Sequence, residues 1–269
     1  MKGKLLFTVV AAMVVAACAS PMYVHKDAFD HTKRIAVVSV QSNRTLVPIG
    51  SGGGGLTALA SLGSKLFGKK SEQKQGSGPD ESWMGQLVSY GHDSFARSLR
   101  DLGRWDVVSG DAVTNTGAYV RFASNYKGSS GESLLRVAAP HMPSGAIDVR
   151  QESVRKNLVQ LCKDLGVDGV AVVELDLGYE TSTGVGSIGG GATGTAQASV
   201  KATLGVLGAN GEWILDPHSA RSQVRQKSSS TVPMVLGNIA PDAKAMAMFK
   251  EGIDNAASAY KTEILAALN

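Results

Sequence analysis

Three carboxylates, Glu174, Asp176 and Glu180, fall on even-numbered positions of one short segment, and paired carboxylates are what general acid–base or metal-assisted chemistry needs. The residues between them decide how they are read. Val173, Leu175, Leu177 and Tyr179 take the odd positions, so strand alternation puts the carboxylates on one face and the apolar side chains on the other. A second alternating segment sets Ala198, Val200, Ala202, Leu204 and Val206 against Gln197, Ser199, Lys201 and Thr203. With Lys201 opposite the acids, a solvated cross-strand charge set is preferred to a catalytic group. His25, His31, His92, His141 and His218 show no metal-ligand spacing, and His92, beside Asp93 in a helical stretch, reads as solvent-facing. Gly184-Val185-Gly186 and the Gly50–Gly55 run lack the strand-to-helix setting and the Gly-Lys-Ser/Thr ending of a phosphate loop. No Gly-x-Ser-x-Gly elbow occurs. The reading is therefore not an enzyme: no catalytic, cofactor-binding or metal-binding residue is expected.

The remaining reactive groups are two thiols, Cys18 and Cys162, too few for a disulfide framework. Leu158, Leu161, Cys162 and Leu165 share one helical face, which makes Cys162 a core residue. Cys18 sits in a different setting. Lys2 and Lys4 precede an apolar run of about 13 residues, Leu5 to Ala17, short of the ~20 that a spanning helix needs. Positive start, apolar middle and small residues before the cysteine are the pattern of an export signal. Val15-Ala16-Ala17-Cys18 resembles the lipobox of bacterial lipoproteins, with Val in place of the usual Leu. The resemblance implies cleavage after residue 17, lipidation of Cys18, and a membrane-bound product. Several acyl chains give stable anchoring where one alone is marginal. Ser20, where Asp would retain enteric lipoproteins at the inner membrane, implies forwarding to the outer membrane with the domain in the periplasm. Residues 18–32 are then a lipidated tether.

Composition narrows the partners. Removing Lys2 and Lys4 with the signal lowers the formal net charge from +4 to +2, and no Lys/Arg stripe interleaved with aromatics is present. The electrostatic footprint of a nucleic-acid binder is missing. After the signal no apolar stretch is long enough to span a membrane as a helix. About 250 residues remain, and residues 33–269 are read as a single domain.

The elements of that domain follow from periodicity. Lys33 to Val40 is β-branched and nearly continuously apolar, the mark of a strand covered on both faces. Residues 42–81 form a Gly-rich insertion in which Leu56, Leu59, Leu62, Leu66 and Phe67 recur at helical spacing. This is a surface helix or a membrane- or partner-seeking one. Ser82 caps a helix with Met84, Leu87, Val88, Gly91, Phe95, Leu99 and Leu102 inward, stopped at Gly103. A short strand at Trp105–Val108, a weaker helical stretch from Asp111 towards Tyr126 and a long loop over Lys127–Gly145 come next. A helix from Arg150 to Leu165 ends at Gly166 and leads into the carboxylate-bearing strand. Thr181–Thr195 reads as a Gly-rich connection, and Asn210-Gly211 as a type I′ turn into Trp213-Ile214-Leu215. Met246, Phe249, Ile253, Ala256, Tyr260, Ile264 and Leu268 stripe a long last helix that starts near Pro241. The fold class expected is α/β: a mixed β-sheet with helices on one face, closing in a β-meander followed by a long helix.

This order is similar to that of a group of envelope proteins that includes the curli-secretion lipoprotein CsgG, the amino-terminal domain of TolB and the peptidoglycan-synthase activator LpoB. The residues that carry the resemblance are Arg34–Val38, Leu99–Val108, Leu165–Val170 and Asn210–Leu215. It implies a TolB-N/CsgG-like α/β sandwich and no catalytic residues. It also implies an envelope protein or peptidoglycan-associated partner, and leaves self-association open. In CsgG the hairpin matching Leu177–Val206 forms pore strands. Here Val185 and Ile188 fall on opposite parities, so a periplasmic loop is preferred to a membrane strand. The function expected is a membrane-anchored, non-enzymatic assembly, accessory or binding module, with a CsgG-like channel component as the alternative. The polar meander face and Leu56–Phe67 are the surfaces expected to meet partners.

Overall fold

A computed structural model describes residues 24–49, 81–126, 136–143, 145, 147–188, 191–218, 222–235 and 238–269. Cys18, the Leu56–Phe67 segment and most of the 42–81 insertion lie outside the described residues.

The β-branched run becomes β1, Arg34–Asn43, which is buried from Ile35 through Ser42. Its two faces serve two cores. Ile35, Val37 and Val40 join one, and Ala36 and Val38 join the other. Val37 and Val40, three apart, share a side because the register against the neighbouring strand β5, Gly169–Ile188, shifts between Val37 and Ser39. A one-residue bulge inverts the parity of every side chain after it. β1 is parallel to β5 and to β3, Asp106–Val108, which lie on its opposite sides.

Parallel neighbours need a crossover, and each crossover here carries a helix. Helix α2, Glu81–Arg100, follows β1 (α1 is described below) and covers the first core with Met84, Leu87, Val88, Phe95 and Leu99. Between β3 and β5 the chain forms α3, Asp111–Thr114, α4, Gly117–Ser124, and α5, Glu152–Leu165. Tyr119, Val154, Leu158, Leu161 and Cys162 from these helices close the second core. The expected single helical face is therefore corrected at this end of the sheet, where helices cover both faces. Crossovers of one hand that step to opposite sides of the starting strand deliver their helices to opposite faces. α5 ends where expected: Gly166 takes φ 64°, and the Val167 N–H reaches back to the Cys162 carbonyl at 3.0 Å, a left-handed cap that glycine adopts without strain.

The other half of the sheet is an antiparallel meander. β5 pairs with β6, Gly191–Gly208, which pairs with β8, Gln223–Val235. The short β7, Trp213–Leu215, lies against the end of β6. The last helix, α6, Ala243–Leu268, is capped by Asp242, whose carboxylate accepts the Ala245 N–H at 2.8 Å. α6 and α2 lie side by side over the apolar face, with Phe249 edge-on to Trp83 and Phe95 against Tyr260. A polar seam fixes the pair: Asp254 accepts hydrogen bonds from the Tyr90 and Ser94 hydroxyls, each at 2.5 Å. The mixed α/β sheet, the meander and the long closing helix are as the sequence reading has them.

Several local readings change. In the Thr181–Thr195 stretch, read as a connection, residues 181–188 belong to β5 and 191–195 to β6, which stay paired as far as Ile188 and Gly191. The long third strand of the meander is β8, whereas β7 has three residues. The Lys127–Gly145 loop contains β4, Arg136–Ala138, antiparallel to Gln41–Asn43 of β1. β2, Val47–Ile49, continues along β5 past the end of β1. At Asn210-Gly211 only Gly211 has positive φ, so the turn is not type I′, which requires both central residues there. Part of the 18–32 stretch read as a tether is structured. Val24 bridges to Leu215, and α1, Lys26–His31, packs Phe29 against Trp105 with ring centroids 4.4 Å apart.

Candidate functional site

The acids of β5 and Lys201 of β6 do lie on the sheet face turned away from α2 and α6, since Val173, Leu175 and Leu177 fill the core behind them. Each acid has a cationic partner from another strand. Arg136 of β4 meets Glu174 at 2.5 Å, Lys201 meets Asp176 at 3.4 Å, and Lys227 of β8 meets Glu180 at 2.5 Å. The three pairs step along β5 at the strand repeat, each partly solvated. Such pairs set register and partner preference more than stability.

This face is not flat. The second helical layer covers β1, the start of β5 and the adjoining end of β6 and leaves the rest of the meander open, with a step at its margin. Gln41 builds the step: its buried amide donates to the carbonyls of Pro143 and Gly145 at 2.8 and 2.7 Å. That grip carries the following loop, with Ile147, Asp148, Val149 and Arg150, out over the sheet. Opposite it, Pro217 lies on Gly205 of β6 so closely that a Cβ there would sit 2.8 Å from the proline Cγ. Between the two overhangs is a cleft of about 420 Å³, within the usual size range for ligand pockets.

Strand pairing puts a polar row across its floor. Gln41, Glu174, Thr203 and Gln223 are register partners from β1, β5, β6 and β8. One step along, Ser39, Val172 and Gly205 form the next row. Below the cleft a chamber of about 40 Å³, also bounded by Ser39 and Glu174, has room for one water-sized group. Ser39 is 1% exposed, and its hydroxyl has no hydrogen-bond partner among the described residues. At the mouth, the Arg150 Nε meets Asp148 at 3.2 Å, and His218 stands edge-on to Trp213.

No protein-family model matches the chain, and no curated protein does so either.

The thiol is placed as the sequence reading has it. Cys162 is buried against β6, its Sγ 3.9 Å from the Leu207 carbonyl, and burial pushes the thiol up to about 12. A neutral thiol at ordinary pH is a poor nucleophile. His92 is a correction: it is buried, not solvent-facing. Its Nε2 accepts the Gly110 N–H at 3.2 Å and its Nδ1 faces Asp93 Oδ1 at 3.0 Å. It thereby joins α2 to the turn at Gly110, whose φ is +60°. Among the described residues no group of three or more His, Cys, Asp or Glu could hold a metal ion. No helix among them is long and apolar enough to cross a membrane.

The residues that the sequence reading missed are Arg136, Asp148, Arg150, His218 and Ser39. Arg136, Asp148 and His218 lie in stretches without periodicity, and Arg150 stands at the edge of the Arg150–Leu165 helical pattern. Ser39 interrupts an apolar strand, and a lone Ser in a doubly covered strand was the one available signal.

Proposed function

We propose that the chain is a cell-envelope lipoprotein, anchored to the outer membrane by lipid on Cys18. Its α/β domain works on the periplasmic side as a non-enzymatic assembly, accessory or binding module. The observation that carries this reading is the Val15–Cys18 lipobox-like end of a short apolar leader. The structure adds a compatible distance. The described residues begin at Val24, six positions after Cys18, and six residues span at most about 20 Å. The domain would be held close to a bilayer without a spanning helix, its charged meander face and cleft open to the compartment. The partner implied by the resemblance to CsgG, TolB and LpoB is an envelope protein or a peptidoglycan-associated one.

Labelled palmitate and fractionation test the anchor. The parent chain takes up label and pellets with outer membranes, whereas Cys18→Ser stays unlabelled and is released. Equal partitioning of the two would end the proposal. Crosslinking in intact cells tests the accessory role, which requires a reproducible protein or glycan neighbour.

A second reading, an oligomeric CsgG-like export channel component, gains one observation. The 181–195 segment continues the β5–β6 ladder as a hairpin arm. Electron microscopy of detergent-extracted protein decides it: rings support the channel, and monodisperse single copies exclude it.

A further inference from the structure

We infer that the cleft between the Ile147–Arg150 loop and Pro217 binds a zwitterionic ligand of the amino-acid or peptide-end class, carrying an ammonium and a carboxylate a few bonds apart. This deepens the binding-module reading and rests on it.

Charge placement selects the class. One wall holds Arg136 with Glu174 at 2.5 Å, and the overhanging loop holds Arg150 with Asp148 at 3.2 Å. The four groups sum to no net charge but present both signs from both sides of the mouth. A simple anion approaching either guanidinium also meets a carboxylate, and a simple cation meets a guanidinium. A molecule carrying both signs finds an opposite partner for each, with the ligand carboxylate on the planar guanidinium forks. Arg150 is the accessible member, its side chain 80% exposed and held only through Nε to Asp148 among the described residues. The internal pairing holds these side chains in place before a ligand arrives, which lowers the ordering cost of binding.

The floor gives a second, independent indication. Ser39 is a buried hydroxyl without a partner among the described residues, and such groups are uncommon because each forfeits a hydrogen bond. It borders the chamber beneath the charged mouth. Thr203 and Gln223 add groups of both hydrogen-bonding polarities at the level of Glu174. Gly205 keeps the far wall in place, because only a residue without a side chain lets Pro217 lie on β6.

The probe is triglycine, titrated into the full chain in detergent by ligand-observed NMR, beside N-acetyl-triglycine, triglycine amide, acetate and methylammonium. Triglycine binds, and capping either end weakens binding by about tenfold or more, the loss expected when a hydrogen bond to a charged group is removed. Arg150→Ala weakens triglycine to the level of the amide while the thermal melt is unchanged. Glu174→Gln removes the preference for a free amino group but keeps that for a free carboxylate. Equal binding of free and capped peptides overturns the inference, as does no binding of triglycine. In-cell crosslinking with the parent chain separates the two readings: a parent that captures its neighbours but ignores triglycine leaves the accessory role standing and the cleft without its ligand.

Discussion

The two ends of the sheet solve the burial problem differently. At the parallel end, β3, β1 and the first residues of β5 lie between α2 on one face and α3–α5 on the other, and β1 is apolar on both sides. At the meander end, β5, β6 and β8 rest on α2 and α6 with one face only. The opposite face carries Arg136–Glu174, Lys201–Asp176 and Lys227–Glu180. A side chain in the first region has no direction free of packing, so that region is committed to stability. The second has a free face, and among the described residues it becomes concave at the boundary with the first. The cleft is a product of the junction, where one helical layer ends and the sheet continues.

Substitutions sharpen the contrast, and the largest effect belongs to the doubly covered strand. Val38→Asp places a carboxylate between the sheet and α4–α5, and should lose more than about 4 kcal/mol in urea denaturation, enough to prevent folding. A change of similar size on the open face, Thr203→Asp, should leave the chain folded. Gly205→Ala probes the junction. The added methyl meets the rigid Pro217 ring, and a loss of about 1–3 kcal/mol is expected, with a shift in the NMR resonances of Ile147 and His218 across the cleft.

Glu251 supplies a pH test. The hydroxyls and N–H groups of Ser229 and Ser230 hold its carboxyl down at about 2, below the ordinary glutamate value of about 4.3. A folded-state value below the unfolded one stabilises the protein above the unfolded value and loses that contribution as pH falls towards 2. Because the group is partly exposed, Glu251→Gln should cost only about 1 kcal/mol at neutral pH. The parent and variant denaturation curves should converge between pH 4.5 and 2, about the interval those two values bound. The smallest effect is expected at Asp176→Asn, below about 1 kcal/mol and vanishing in molar salt, since its pair with Lys201 is solvated. If Asp176→Asn proved as damaging as Val38→Asp, the distinction between the two ends would fail.

The same division explains what could be read from the chain. Elements that bury a stripe announce themselves by period: Met84 to Leu99, Val154 to Cys162, Ala198 to Val206 and Phe249 to Ile264 all face inward as their spacing requires. β8 does not. Its Ser228-Ser229-Ser230 run spans a register shift opposite β6, and Glu251 of α6, rather than a hydrophobic alternation, ties it down. The 181–195 ladder is poor in side chains that could signal a strand, because Gly and Thr fill it. β4 has three residues, which leaves no period to detect. The cleft is less legible still. Its polar row is assembled from four strands far apart in sequence, and nothing local marks Gln41 as the residue that carries the Ile147–Arg150 loop across the sheet.

The bridge at Val24 has a mechanical consequence. It joins the β7 end of the sheet, near the level of Ala171, whereas the β5–β6 pairing runs on to Ile188 and Gly191. Fifteen steps along β6, from Val206 to Gly191, at about 3.3 Å each separate those levels by at most roughly 50 Å, since β5 bulges between Ser182 and Gly186. If Cys18 carries lipid as proposed, the Val24 end of the sheet is the end nearer the anchor along the chain, and the paired ends of β5 and β6 lie at the opposite end of the sheet.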